Sequence, residues 1–471
     1  MTLAASVDRA ILHYNVARFD EERDRVNEAG RERATAKDCD VVVIGGGPAG
    51  STTATLLAER GHRVVLLERE THPRFHIGES LLPANLPLFD RLGVASEVKA
   101  IGMEKWGATF VSPWHDRISG FNFADAIDPA MPMAYQVRRS ELDEILFRRA
   151  ARSVEEAREG CRVGDVDLGT RDRSPEVTAT DADGTVRCWR ARFIVDASGR
   201  DTFIGNRLKI KCRNRDHNSS AMFGHFRNAK RDAGKAGGNI IIAWFDHGWF
   251  WFIPLKDDIT SVGAVVWPYY MKARDKPLRQ YFLETIARLP PLAARLEHAE
   301  LVAEPTATGN YSYEMSACQG ANFILVGDAY TFIDPMFSSG VMLAMNSGFA
   351  GADVVDAKLR ADAANEARAR ERFDHVMRKG PKAFSWFIYR VTNPMLRELF
   401  MFPSERFGMK QAVVSVLAGD LFGGTDVSPG LRKFRLVYYI FCLMHPRRAF
   451  AGWRRHAFNI DERSNMLARR G

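Results

Sequence analysis

Short apolar runs pattern the first two thirds of the chain, and helical periodicity patterns the last third. Residues 40–44 predict a strand, Pro48–Glu59, rich in Ala, Thr and Leu, predicts a helix, and residues 63–67 predict a second strand. Joined by a tight glycine turn, these three form a βαβ unit. Further strand-like stretches lie at 108–111, 193–195, 240–245, 248–253, 260–266 and 323–326, with Asp246-His247-Gly248 as a hairpin turn between two of them. After Gly340 the pattern turns helical, broken by Pro381, Pro394, Pro403, Pro429 and Pro446. Residues 21–37 are dense in charge and nearly devoid of large apolar side chains, which predicts an exposed helix or disordered arm.

One stretch has an unusual composition. Trp249-Phe250-Trp251-Phe252-Ile253-Pro254 follows Gly248, and its alternation places Trp249 and Trp251 on one face of a strand with Phe250 and Phe252 on the other. So much rigid aromatic volume suits either a heavily packed sandwich strand or a wall beside a ligand, and the alternation alone leaves both open.

At 471 residues the chain exceeds one ordinary domain and can bury two sizeable cores. Charged residues at 26% and hydrophobic ones at 46% are ordinary for a globular protein. The net charge of +8, from 66 basic and 58 acidic residues, suits an anionic cofactor, an acidic carrier protein or a membrane surface. It does not call for nucleic acid, and no nucleic-acid partner is expected. Cys39, Cys161, Cys188, Cys212, Cys318 and Cys442 are scattered without a CxxC pair, so neither a zinc site nor a disulfide scaffold is expected. Asp8 and Arg9 interrupt any signal-peptide pattern, and no apolar run is long enough to span a bilayer. Residues 436–444, flanked by Lys433, Arg435, Arg447 and Arg448, read most simply as a buried helix, the other reading being a helix that lies on a membrane or a partner. A cytoplasmic protein without membrane association is the expectation.

Gly45-Gly46-Gly47-Pro48-Ala49-Gly50 satisfies GxGxxG between a strand and a helix. Gly45 allows the tight turn, Gly47 lets backbone approach a pyrophosphate, and Gly50 lets helix and strand pack closely. The first helical turn, including Ala49, presents free N–H groups and a positive dipole end to phosphate. Glu68 ends the second strand where a ribose-binding acid is expected. The fingerprint leaves NAD and FAD open. Two further strand ends, Val195-Asp196-Ala197-Ser198-Gly199-Arg200 and Val326-Gly327-Asp328-Ala329, converge on the same crevice and favour FAD over a simple dehydrogenase. A carboxylate such as Asp328, ending an apolar strand, is costly unless paired, which marks it as a site residue. The expected class is therefore α/β: an FAD-binding Rossmann-like domain interleaved with an antiparallel substrate sheet, then a helical C-terminal region. The expected boundaries are a charged arm over 1–38, the interleaved domain over 39–360 and the helical region over 361–471.

With these elements in order, residues 39–360 resemble the flavin-dependent halogenases, within the larger flavin monooxygenase group. Gly248-Trp249-Phe250-Trp251-Phe252-Ile253-Pro254 is similar to that family's WxWxIP box, and Phe332-Ile333-Asp334-Pro335-Met336-Phe337-Ser338-Ser339-Gly340 to its FxxPxxSxG box. Pro73-Arg74-Phe75-His76-Ile77-Gly78-Glu79-Ser80-Leu81-Leu82-Pro83 resembles its loop beside the flavin ring.

The resemblance implies a mechanism. FADH2, supplied by a separate NAD(P)H-dependent flavin reductase, reacts with oxygen to a C4a-hydroperoxide. Bound chloride or bromide attacks it to give hypohalous acid, which a lysine delivers to an electron-rich aromatic carbon. Lys105 matches the catalytic lysine; its other reading is a solvated turn lysine paired with Glu104. Ser339 and Gly340 match the halide site, where a helix start suits an anion. Trp249 and Trp251 match the barrier between substrate and flavin. Gly78, Glu79 and Ser80 match the loop at the ring, with His76 there or merely structural. Arg139 and Asp328 match FAD contacts, although Arg139 alone reads as an ordinary helix N-terminal charge.

One position departs from the family's free-tryptophan branch, which carries glutamate where this chain has Phe337. The departure points to phenolic or pyrrolic substrates, small or tethered to an acyl carrier, with the basic segments 386–390 and 447–455 as a docking surface or as helices packed on the core. The competing readings are an FAD-dependent aromatic hydroxylase and a prenyl-lipid reductase-like flavoprotein.

Overall fold

The computed structural model describes residues 36–170, 173–309 and 312–460. Val41–Ile44 lies at the centre of a five-stranded parallel sheet, in the order Phe323–Leu325, Phe193–Asp196, Val41–Ile44, Val64–Leu67, Glu156–Arg158. The three middle strands are buried at every residue, which explains their unbroken apolar runs. From Val41–Ile44 the chain passes first to one side and later to the other, so a crevice opens at the strand ends where the order reverses. The helix Pro48–Glu59 covers this sheet and packs closely against Gly340–Leu359. A Cβ on Gly348 would stand 2.9 Å from the Ala49 carbonyl oxygen.

A second, eight-stranded sheet holds Gly248–Pro254 between Ile240–Phe245 and Ile259–Val266, both antiparallel to it. Phe245 pairs with Gly248, leaving Asp246 and His247 as the hairpin turn. The sheet is not wholly antiparallel, because Gly107–Val111 pairs in parallel with Ile240–Phe245. A parallel neighbour needs a long crossover, and the chain supplies it by completing much of the nucleotide-binding sheet in between. The tryptophan alternation holds. Trp249 and Trp251 join a core with Phe223, Phe337, Phe384 and Phe387, whereas Phe250 and Phe252 join a separate core with Phe226 and Phe282.

The helix Ala363–Ile388 ties the two sheets together. Phe373 and Met377 sit in the nucleotide-domain core, and Phe384, Phe387 and Ile388 sit under the tryptophan face. Pro381 was expected to end a helix, yet it lies inside this one. Tight packing of the neighbouring Gly380, where a Cβ would come 2.2 Å from Leu343, holds the helix together despite the hydrogen bond proline removes. Pro394, Pro429 and Pro446 instead occupy helix starts, where proline's missing N–H costs nothing.

Residues 436–444 do not form the expected buried helix. In Ser428–Met444 Leu431, Phe434 and Tyr438 are buried and Val437, Phe441 and Cys442 pack half-buried on the core, while Leu436, Ile440, Leu443 and Met444 face outward, Leu443 being 79% exposed. The helix lies on the outside of the fold and has a partner on only one stripe. Among the described residues, no helix is long and apolar enough to cross a membrane. The charged arm expected over 1–38 lies outside the described residues except at its end, where Lys37–Asp38 forms a short strand beside Trp189 and Arg190.

Candidate active site

A cavity of about 910 Å³ opens at the carboxyl ends of the parallel strands and runs to the face of the second sheet. The glycine turn forms one end. Gly45 has φ +103°, and a Cβ there would meet the Ala197 carbonyl oxygen at 2.4 Å; a Cβ on Gly50 would meet the Gly45 oxygen at 1.9 Å. Only glycine fits either position. Gly47 caps the following helix with no side-chain hydrogen bond, so first-turn N–H groups beside Gly47 and Ala49 remain open to an anion in the cavity. The Glu68 carboxylate also reaches the cavity wall, where it accepts hydrogen bonds from the N–H of Gly46 at 2.8 Å and of Glu70 at 3.0 Å.

Arg139 projects into the cavity from the start of the helix Arg139–Ala151. Its Nε and Nη2 donate to the two Asp143 oxygens at 2.8 and 3.0 Å, and Nη1 donates to the Ile77 carbonyl at 2.9 Å. Burial would raise the Asp143 carboxyl, but the Arg139 guanidinium outweighs it and holds the pKa below the usual carboxylate value. Arg74 donates to Asp143 at 3.2 Å as well, yet its own Nε is buried without a partner. Across the cavity, burial pushes Asp328 up to about 6, opposed in part by Arg139 and Arg200. His76 lines the same wall, where burial and then Arg139 hold it down at about 4.

The loop 73–83 divides its residues between two environments. Gly78, at φ +102°, turns the chain past Arg139 and lines the cavity, as does Ser80. The Glu79 carboxylate turns away from the cavity and meets His225 Nε2 at 3.0 Å, and this contact raises the histidine's pKa against the effect of burial. Behind Ser80 sits Lys105, at the end of the strand Met103–Lys105 that pairs with Ala134–Gln136. It is 2% exposed, and Nζ donates to Ser80 Oγ and to the Leu81 carbonyl, both at 2.9 Å. It is not a solvated turn lysine, and Glu104 is not its partner. Burial alone lowers its pKa to about 7.

At the far end, Trp251 lines the cavity, its indole donating to Ser261 at 3.2 Å and lying over Gly263, where a Cβ would come 2.2 Å from the ring. Trp249 stands beside it at 6.1 Å between ring centres but does not reach the cavity. Opposite, Ser338 at φ +56° turns the chain so that Ser339 and Gly340 open the 20-residue helix Gly340–Leu359 into the cavity. Asp334 fixes this turn. Oδ1 accepts from the Met336 N–H at 3.1 Å, and Oδ2 meets His217 Nε2 at 2.7 Å and accepts from Ser219 at 3.2 Å.

Residues 38–370 match the FAD binding domain family. The chain is 30% identical over 413 residues to a pyrrole-2-carbonyl peptidyl-carrier-protein chlorinase of Pseudomonas fluorescens, covering 82% of this chain and 90% of that one. It is 33% identical to a flavin-dependent halogenase of Armillaria mellea, covering 70% of this chain and 67% of that one. The chain belongs to the flavin-dependent halogenases. The solved structure of the myxobacterial chondrochloren halogenase has a similar fold, with TM-score 0.71, 33% identity, and coverage of 86% of this chain and 97% of that one.

The halogenase is an FAD enzyme, and its cavity fits that cofactor. Gly45 and Gly50 admit no Cβ because the turn packs on Ala197 and on itself, which holds the helix N-terminus at the cavity for a pyrophosphate. Gly47 lines that space, where a Cβ would face Arg74 Nη2 at 3.5 Å, and the Arg74 Nε on the same wall is buried without a partner. Several site residues carried weaker signals in the sequence. Asp143 stands four residues after Arg139 on one helix face, a spacing that marks an ion pair. Asp334, just before Pro335, has the signature of a cap. Phe223, Phe384 and Ile388 line the cavity from distant elements, and apolar periodicity marks such residues only as buried.

Proposed function

We propose that the halogenase acts on an electron-rich aromatic ring, phenolic or pyrrolic, small or carried on an acyl carrier protein. The observation that carries this is the aromatic and apolar end of the cavity, lined by Trp251, Phe223, Phe332, Ile333, Phe384 and Ile388, where the neighbouring Asp334 carboxylate is already taken up by His217, Ser219 and the Met336 N–H and so is not offered to a free amino acid's ammonium. Phe337 stands buried behind that wall, 6.1 Å from the Phe384 ring. The Pseudomonas fluorescens relative, named for a carrier-bound pyrrole, agrees with this class.

Gly45, Gly47, Ala49, Gly50, Glu68, Arg139 and Asp328 would hold FAD, with Gly78 and Ser80 at the ring and Glu79 supporting that loop through His225. Bound in its reduced form, FAD would supply two electrons to oxygen, and the oxygen so activated would be the two-electron oxidant that turns a halide into hypohalous acid. The N–H groups at Ser339 and Gly340 receive the halide at a positive helix end. Trp251 keeps the substrate ring from the flavin, and Trp249 braces it. Lys105 would take up the hypohalous acid: as a neutral amine it donates its two N–H bonds to Ser80 and Leu81, and its lone pair attacks the halogen. The halogen–oxygen bond breaks, and the hydroxide released takes a proton from the nitrogen and leaves as water. A separate NAD(P)H-dependent flavin reductase supplies FADH2.

The test supplies FADH2, oxygen and chloride or bromide with phenols, pyrroles, a carrier-bound pyrrole and free tryptophan, and reads products by mass spectrometry. Halogen isotope patterns on phenols or pyrroles are expected, with free tryptophan unmodified. Preferential turnover of free tryptophan would overturn the substrate class.

A further inference from the structure

The last two helices, Ser428–Met444 and Pro446–Ile460, present an outer face that the active site does not use. Leu436, Ile440, Leu443 and Met444 point outward from the first helix, and Phe450 and Trp453 stack at 5.9 Å on the second. At the corner between the helices Leu443 is 79% and Met444 67% exposed, so the apolar tip protrudes. Between Asp426 and Asp461 the sequence holds seven Arg or Lys residues and no acid. Arg447 and Arg454 are exposed on the second helix, Arg447 just past the apolar tip, and Arg432 is exposed near the far end of the first.

The face is held in place. Arg455 donates to the Asp246 carbonyl at 2.6 Å, His456 Nε2 meets the Asp216 carbonyl at 3.1 Å, and Gly452 packs closely on Pro394. On the inner side, Trp386 carries the guanidinium groups of Arg390 and Arg435 at 4.8 and 5.0 Å, and its helix lines the cavity with Phe384 and Ile388. One helix therefore separates the outer face from the aromatic end of the cavity.

We propose that this face is a peripheral membrane-binding surface that seats the enzyme on an anionic bilayer. Protruding apolar and aromatic side chains flanked by arginine are what the boundary between headgroups and acyl chains accepts, since the apolar tip buries while the arginines reach phosphate. A second copy of the chain does not fit, because a two-fold contact would set this acid-free cationic face against itself. The expectation of no membrane association went with reading 436–444 as a buried helix, and the structure leaves Leu436, Tyr439, Ile440, Leu443 and Met444 of it exposed.

Co-sedimentation of the full chain with vesicles tests the proposal without reference to halogenation. Binding is expected to phosphatidylglycerol–phosphatidylcholine vesicles and not to phosphatidylcholine alone. It should vanish in 1 M salt, where the Debye length falls to about 3 Å. The pair Leu443→Glu/Phe450→Glu, both fully outside the cavity and the core, should weaken partitioning about tenfold or more with unchanged Tm. Arg447→Glu/Arg454→Glu should weaken it on the anionic vesicles. Failure to bind either vesicle overturns the proposal. So does a dimer that Leu443→Glu dissociates, or binding to a purified acidic carrier protein by a chain that ignores vesicles.

Discussion

Ser80 stands between Lys105 and the flavin cavity, its hydroxyl accepting from Lys105 Nζ at 2.9 Å while the residue lines the cavity wall. Lys105→Ala is expected to abolish halogenation while oxidation of FADH2 by oxygen continues. Ser80→Ala removes one of the two acceptors that orient the amine and should lower halogenation about tenfold, the cost of about one hydrogen bond. Product analysis beside oxygen uptake separates the two reactions. Unchanged halogenation by Lys105→Ala would remove that residue from the mechanism.

Lys105 also sets a pH dependence. With its pKa lowered to about 7 by burial, the amine form grows as pH rises through 7, so halogenation per FADH2 oxidised should rise over that range. Stability follows from the same shift. The folded protein releases the lysine proton above about 7, whereas the unfolded chain keeps it to about 10.4. In that window the unfolded state binds more protons, and wild-type stability rises with pH. Lys105→Met should therefore be more stable than wild type at pH 7, by on the order of 2–4 kcal/mol, with the gain shrinking towards pH 10. Thermal unfolding across pH measures this, and a gain independent of pH would contradict it.

The two tryptophans should separate on mutation. Trp251 reaches the cavity and Trp249 does not, although both are buried. Each change to Ala should cost about 3–5 kcal/mol as a core cavity. Only Trp251→Ala should also alter the ratio of halogenated to other products. Gly263→Ala, which drives a methyl into the Trp251 ring, should reproduce that altered ratio with the indole still present. Equal effects of Trp249→Ala and Trp251→Ala on product ratio would contradict the assignment.

Asp143 should matter for FAD without touching it. Asp143→Ala strands the buried Arg139 and Arg74 charges, which should destabilise the protein by about 3–5 kcal/mol and weaken FAD binding. Asp143→Asn keeps the shape and part of the hydrogen bonding, so it should cost less. Flavin fluorescence titration and thermal unfolding read both effects.

Gly340→Ala tests the halide turn. A Cβ there meets nothing within 4 Å, so the variant should fold as wild type, yet its methyl enters the cavity at the helix start. The KM for halide should rise several-fold with little change in Tm. An unchanged halide KM would move the halide site elsewhere.

Local chemistry written in consecutive residues was legible from the sequence alone. The glycine turn needs its glycines wherever it folds, because Gly45 and Gly50 leave no room for a Cβ. The tryptophan alternation needs only the two-residue period of a strand. Tertiary structure decided what depends on distant elements meeting. It turned Glu79 to His225, enclosed Lys105 behind Ser80, paired Gly107–Val111 in parallel, and carried a helix intact through Pro381. It also left Leu436, Ile440, Leu443 and Met444 outside, since apolar residues all round a helix say that partners are wanted on every side and not that the fold supplies them. Burial, and with it the lowered pKa of Lys105, belongs to the assembled surroundings and is written in no single stretch of the chain.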